Sequence, residues 1–166
     1  MALSRTQALW LIPAALAIHN TEEAIAFPAY LPLVRSRVPA AMQSLVAGVD
    51  PGALRVALLW ATLIPLLILI WVTWQPESRA ARWTALVVQT VVVTNVVSHV
   101  VVAAFIMHGY SPGVLSALLI NAPLSVYLLR RARRERWLPT VAWRSLFPAA
   151  LVIHGPGLFA LLLLSR

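Results

Sequence analysis

Three ionisable side chains stand close together near the start of the chain. His19, Glu22 and Glu23 fall within five consecutive residues. At 100° per residue, a helix places Glu23 about 40° from His19 and Glu22 about 60° to the other side, so all three project from one face. Imidazole and carboxylate groups together can bind zinc, iron or manganese, or exchange protons in acid–base catalysis. The cluster therefore predicts a metal site or a metal-free acid–base site.

Further polar residues interrupt later apolar segments. Asn95 and His99 are four residues apart and share a helical face. His154 precedes Gly155-Pro156-Gly157, a sequence that should kink a helix and open its backbone. These residues are candidates to complete a site with the first cluster.

A stripe of small residues marks a third segment. Gly113, Ala117 and Asn121 recur every four residues, which permits close helix contact and turns Asn121 toward a bundle interior. Tyr110 precedes this stripe, and Ser116 lies within it. The positive end of the helix beside Tyr110 could also hold a lipid phosphate. The sequence thus predicts a role in packing or substrate binding for these residues.

Composition indicates where such residues must lie. Hydrophobic residues make up 61% of the chain and charged residues 11%, with a mean hydropathy of +0.84. Soluble domains are about 45–50% apolar and about 25% charged, so this is an integral membrane protein rather than a soluble enzyme, a disordered tail or a disulfide scaffold. The chain has no cysteine, which excludes thiolate ligands and nucleophiles.

Five segments are long and apolar enough to cross a bilayer, or nearly so. A hydrocarbon core about 30 Å thick needs about 20 apolar residues in a helix, and lipid leaves helices as the only way to pair their backbone groups. We expect one all-α domain over residues 1–166, a polytopic bundle of about five transmembrane helices. The predicted spans are roughly residues 7–30, 52–74, 83–107, 112–129 and 141–164.

Two helix starts are marked locally. Asp50-Pro51 and Ser111-Pro112 each place an N-capping residue before a proline at the first helical position. The longest link, residues 31–49, contains a short mildly amphipathic piece at 40–47, which we interpret as a re-entrant or surface helix.

The arginines predict the orientation. The net charge of +8 comes from 13 basic residues, all of them arginine. Because positive loops stay in the cytoplasm, the cluster at residues 130–136 predicts an N-terminus inside the cell. Nine arginines then lie inside and four outside, namely Arg35, Arg37, Arg55 and Arg166. Their positions indicate topology and contact with lipid headgroups, not nucleic-acid binding.

Depth in the membrane predicts that the polar residues meet. At 1.5 Å per residue, His19 lies about 18 Å from the inner end of its span, His99 about 24 Å and His154 about 20 Å. A charged side chain at mid-membrane costs at least about 2.5–3.5 kcal/mol, so the two adjacent glutamates must face the bundle interior, bind a cation, stay protonated or lie near the interface. A bound cation would neutralise both.

These observations support three functional hypotheses. The first is a metal-dependent membrane enzyme, a hydrolase or an oxidase, that acts on a lipid-like substrate. One glutamate could serve as general base and Asn95 could orient a ligand or the substrate. The second is a proton- or metal-coupled carrier, for which a homodimer could supply the repeat that carriers often contain. The third is a non-catalytic subunit with a structural polar network. In the first hypothesis the candidate ligands of a divalent zinc, iron or manganese ion are His19, Glu22, Glu23, His99 and His154.

The motifs resemble those of the HXXEE-domain family of small bacterial polytopic membrane proteins. His19 to Glu23 matches H-x-x-E-E, Asn95 to His99 matches N-x-x-x-H, and Tyr110 to Ala117 matches Y-x-P-G-x-x-T-A with Ser116 in place of threonine, which keeps the hydroxyl. The resemblance implies a multi-pass protein of the bacterial inner membrane and supports the site, but it implies no reaction. His154 belongs to none of the three motifs.

Overall fold

The computed structural model describes residues 3–165, and its regular elements there are all helical. This confirms the all-α prediction. Arg166, which entered the orientation argument, lies outside the described residues. The helices are α1 (Arg5–Leu9), α2 (Leu11–Arg37), α3 (Ala40–Ala47), α4 (Pro51–Trp74), α5 (Arg79–Met107), α6 (Val114–Arg134) and α7 (Thr140–Leu164).

Four to five of these helices can cross a membrane. Within the described residues, α4, α5, α6 and α7 satisfy both the length and the hydropathy that a span requires. With 27 residues, α2 is also long enough to cross a bilayer, since it extends about 40 Å at 1.5 Å per residue. Its polar residues lower its hydropathy, however, so α2 needs neighbours to cover them. The chain is therefore a membrane protein of about the predicted number of spans.

The first span is longer than expected. It was predicted to end near Tyr30, but α2 continues to Arg37 through Pro28 and Pro32. Proline is tolerated inside membrane helices because neighbouring groups satisfy the freed backbone atoms. Arg35 then closes the link to α4 by donating from Nη2 to the carbonyl of Ala47 at 3.2 Å and to that of Val49 at 3.1 Å.

Apolar residues fill one end of the bundle. Most of α2 packs along α4, and α5 packs between α4, α6 and α7. Leu9, Leu69, Leu86 and Leu128 are completely buried there. This apolar end fixes the relative rotation of the helices, so the faces that carry polar groups meet at the other end.

The two predicted helix starts have different outcomes. The Asp50 carboxylate accepts a hydrogen bond of 2.7 Å from the Ala53 amide, which confirms the cap of α4. The cap by Ser111 is wrong, because α6 begins at Val114 and no side chain of the preceding residues caps it. Gly113 adopts a φ of 86° and turns the chain, so the first amides of α6 point toward α2 instead.

Three helices contain a short π-helical segment. These segments span Val102–Met107 in α5, Ala117–Asn121 in α6 and Ile153–Gly157 in α7. The last contains the predicted distortion around Pro156, which therefore takes the form of a widened turn. Such segments occur frequently at functional sites because they redirect side chains and loosen backbone bonds. The first two lie close in sequence to motif residues, and the third contains His154.

Candidate functional site

Three predicted ligands come together between α2 and α5. The Oε2 atom of Glu23 lies 3.9 Å from Nε2 of His19 and 3.9 Å from Nε2 of His99. The two imidazoles meet edge to face, with ring centroids 4.8 Å apart. One nitrogen or oxygen from each residue lies within 4.8 Å of the others. We call His19, Glu23 and His99 the His/Glu group.

The His/Glu group is largely hidden from the surface. His19 is fully buried, and the side chains of Glu23 and His99 are 18% and 12% exposed. Within residues 3–165, no hydrogen-bond partner reaches Nε2 of His19. Buried polar atoms are rarely left unpaired, because burying a polar group without a partner costs free energy. The orphaned nitrogen therefore points to a ligand.

Glu22, adjacent in sequence, has a different environment. Its Oε1 accepts from the Tyr110 hydroxyl at 2.9 Å and from the Leu115 amide at 3.4 Å. Its Oε2 accepts from the Ser116 amide at 2.8 Å and from the Ser116 hydroxyl. These donors lie at the positive N-terminal end of α6, which stabilises a carboxylate without a cation. Glu22 thus caps α6 from another helix.

Ser116 connects the two environments. Its hydroxyl touches Glu22 on one side, and its Oγ lies 3.0 Å from Nδ1 of His19 on the other. The side chain is buried, with only 6% of the residue exposed. Glu22, Ser116 and His19 therefore form one hydrogen-bonded chain that ends at the His/Glu group.

Gly113 lies directly against both imidazoles. A Cβ atom built on Gly113 would fall 2.7 Å from Cε1 of His99 and 2.9 Å from Cε1 of His19. Its φ of 86° also lies in the left-handed region that side chains disfavour. Only glycine fits here, so the packing role predicted for Gly113 is close contact with the imidazoles of His19 and His99.

Asn95 and His154 lie at the edges of the His/Glu group. Asn95 interacts with His19, and its Oδ1 is buried without a hydrogen-bond partner in the described chain. His154 is half-buried, with Nε2 3.0 Å from the Ser98 hydroxyl. Its Nδ1 has no partner among residues 3–165. The structure does not bring Glu22 or His154 into the set of ligand atoms that lie within 4.8 Å.

The remaining predicted residues surround this centre. Asn121 is fully buried on α6, and neither atom of its amide has a partner in the part of the chain described. Tyr110 stacks edge-on against Tyr30, with ring centroids 5.2 Å apart. Burial, together with the hydrogen bond to Glu22, raises the pKa of Tyr110 to about 12. The phenol therefore remains a neutral donor.

Sequence reasoning missed two residues that support the site. Asn20 is buried and donates to the Thr62 hydroxyl at 2.8 Å and to the Leu58 carbonyl at 3.3 Å, which joins α2 to α4. Ser98 contacts His154 as described above. Asn20 occupies a variable position of its motif, but an amide inside an apolar span was itself a signal for an interhelical hydrogen bond.

The comparisons with known proteins support the motif interpretation. A similar protein is the "Uncharacterized protein YrkK" of Bacillus subtilis (strain 168), 25% identical over 139 residues, which are 84% of this chain and 81% of that protein. No solved structure matches the chain significantly. A family model described as "Protein of unknown function with HXXEE motif" matches residues 10–128, a range that includes the His/Glu group and Ser116 and ends before His154. The chain belongs to this HXXEE family.

Proposed function

We propose that this protein is a metal-dependent membrane enzyme of hydrolase type whose divalent cation is bound by His19, Glu23 and His99. The observation that carries the proposal is the mutual approach of their ligand atoms to within 4.8 Å. Two imidazoles and one carboxylate suit zinc, manganese or iron. A single zinc ion on two histidines and one glutamate with an open position favours hydrolysis, whereas iron(II) on the same ligands would indicate oxidation.

The ligand atoms must move closer together to hold such an ion. Zinc bonds of about 2.0–2.2 Å at tetrahedral angles place ligand atoms about 3.4 Å apart. The Glu23 oxygen lies 3.9 Å from each histidine nitrogen, about half an ångström too far, and the three ligand atoms lie within 4.8 Å of one another, so side-chain shifts of up to about 1.4 Å would complete the set. The buried Nε2 of His19 would gain its missing partner.

Charge supports the same assignment. Four donors already stabilise the Glu22 carboxylate. Among residues 3–165 no hydrogen bond reaches the carboxylate of Glu23, whose neighbours are the two histidines. A buried carboxylate without hydrogen bonds is costly, and a divalent cation would remove that cost. Of the two adjacent glutamates, Glu23 is therefore the proposed ligand.

The surroundings favour a lipid-like substrate. The His/Glu group lies among membrane-spanning helices, so a substrate must reach it through apolar surroundings. The Oδ1 atom of Asn95 and both amide atoms of Asn121 are buried and lack partners within residues 3–165. These amides could orient a polar headgroup, and a metal would polarise its ester or amide carbonyl. The proposed setting is the bacterial inner membrane, with membrane lipids as partners.

Metal content tests the proposal first. Purified protein in detergent, loaded with zinc, manganese or iron(II) and then desalted, should retain about one ion per chain, as measured by inductively coupled plasma mass spectrometry. Glu23→Gln and His99→Ala should each lose it. His108→Ala is the matched control, because His108 is exposed and bonds only the Ala104 carbonyl among the described residues. No retained metal in the wild type, or equal retention in the Glu23 and His99 variants, would overturn the proposal.

The reaction needs a second test. Loaded protein reconstituted into vesicles of bacterial phospholipids should release lipid products that mass spectrometry detects, and Glu23→Gln should not. Metal flux across those vesicles without lipid cleavage would instead support a carrier and contradict the enzymatic assignment.

A further inference from the structure

The Ser116 hydroxyl has a single proton to donate, and its surroundings decide where that proton goes. Besides Nδ1 of His19 at 3.0 Å, two acceptors lie within reach: the Oε2 atom of Glu22, and the carbonyl of Gly113 at 3.2 Å. The carboxylate oxygen is the closer of the two and carries charge, so it is the stronger acceptor. The carboxylate is also a stronger acceptor than a neutral imidazole nitrogen, so the hydroxyl proton points to Glu22 and away from His19.

This arrangement determines which nitrogen of His19 carries its hydrogen. Nδ1 lies 3.0 Å from the Ser116 oxygen, whose proton is directed elsewhere. Two lone pairs facing each other at that distance would repel, so Nδ1 must carry a hydrogen and donate it to Oγ. A neutral imidazole protonated at Nδ1 has its lone pair on Nε2. That atom is the orphaned nitrogen beside Glu23 and His99.

From this geometry we infer that Glu22 and Ser116 are positioning residues that hold His19 in the Nδ1–H tautomer and so present Nε2 as a metal ligand. The role of Nε2 as a metal ligand rests on the proposed function, whereas the tautomer follows from the hydrogen-bond geometry alone. Histidine ligands commonly donate their other N–H to a carboxylate or carbonyl, which fixes the ring and raises its basicity. Here a serine hydroxyl stands between the imidazole and the carboxylate.

The chain extends beyond Glu22. The Tyr110 hydroxyl donates to Oε1 of the same carboxylate, so four residues lie in one series from the loop before α6 to the His/Glu group. Two backbone amides of α6 hold Glu22 in place at the same time. The first and third family motifs are therefore coupled by function: Glu22 of one and Ser116 of the other orient His19.

The tautomer can be measured directly without metal. Full-length protein labelled with ¹⁵N-histidine in nanodiscs should show His19, identified by the signals lost in His19→Ala, with its hydrogen on Nδ1. Ser116→Ala should shift His19 toward the Nε2–H form, because the Nδ1 acceptor is gone. Ser116→Thr keeps a hydroxyl and should restore the wild-type spectrum. Ser125→Ala, another buried serine on α6, which bonds Gln89, is the matched control and should change nothing.

Metal affinity gives the second measurement. Ser116→Ala should weaken zinc or cobalt binding about 10–100-fold, as expected for loss of a group that orients a ligand. Ser116→Thr should bind like the wild type. An Nε2–H tautomer in the wild type, or an unchanged tautomer in Ser116→Ala, would overturn the inference. If the wild type shows the Nδ1–H tautomer but binds no metal, the positioning role stands and the proposed function fails.

Discussion

Glu22 and Ser116 are joined by two hydrogen bonds across 94 positions of sequence, one from the serine amide and one from its hydroxyl. Through them a side chain of α2 caps the start of α6. The bonds fix the register between the first family motif and the third. The same pair leaves the neighbouring Glu23 free to face the two histidines.

Gly113→Ala should destabilise the protein and disrupt the His/Glu group. The new methyl would overlap both imidazoles and occupy a left-handed backbone position. Strain of about 1–2 kcal/mol from the backbone and about 1–3 kcal/mol from overpacking are expected. Thermal unfolding in detergent, followed by tryptophan fluorescence, measures the loss. Gly155→Ala is the control, since its Cβ would meet nothing within 4 Å. Equal melting temperatures for Gly113→Ala and the wild type would contradict this prediction.

Tyr110→Phe should lower stability by about 1 kcal/mol, because one donor to a charged carboxylate is lost. Burial and the Glu22 hydrogen bond raise the pKa of Tyr110 to about 12, above the value of about 10 for an unfolded tyrosine. The stability that this shift provides is therefore complete below pH 10 and disappears as the pH rises through about 12. Tyrosinate absorbance in the wild type and the variant measures the shift. Ionisation of Tyr110 near pH 10 would refute it. Tyr127→Phe is the control, because Tyr127 is exposed and its hydroxyl accepts from Arg131.

The predicted orientation can be tested by labelling, because the chain has no cysteine of its own. Ser36→Cys lies in an exposed position on the predicted outer side, and Glu77→Cys in an exposed position on the inner side. A membrane-impermeant maleimide should label the first in intact cells and the second only after permeabilisation. The reverse pattern would place the N-terminus outside.

Local rules predicted much of the fold correctly. The lengths of the apolar segments predicted the bounds of the last four helices to within a few residues. The dipeptide Asp50-Pro51 predicted the cap of α4. Helical periodicity also placed His19 and Glu23 on one face, where the structure has them. These features depend on residues that are near each other in sequence, so periodicity and capping rules are sufficient.

Local rules could not predict which of the two glutamates meets backbone amides and which faces the histidines. Glu22 and Glu23 are adjacent and chemically identical, and only the packing of α6 against α2 decides which one meets backbone amides. The failed cap at Ser111 has a related origin, because α6 begins at Val114 and a carboxylate from another helix accepts from the Leu115 and Ser116 amides in its first turn. Helix rotation of this kind depends on contacts across the whole bundle.

The π-helical segments of α5, α6 and α7 mark where these helices can change length. Each wide turn accommodates one residue more than an α-helical turn, so deleting one there would restore an α-helical turn and leave the later residues in register. A deletion elsewhere in α6 before Ser125 would instead rotate all that follows by about 100° and swing Ser125 away from Gln89. Single-residue length differences among homologues should therefore fall at these turns.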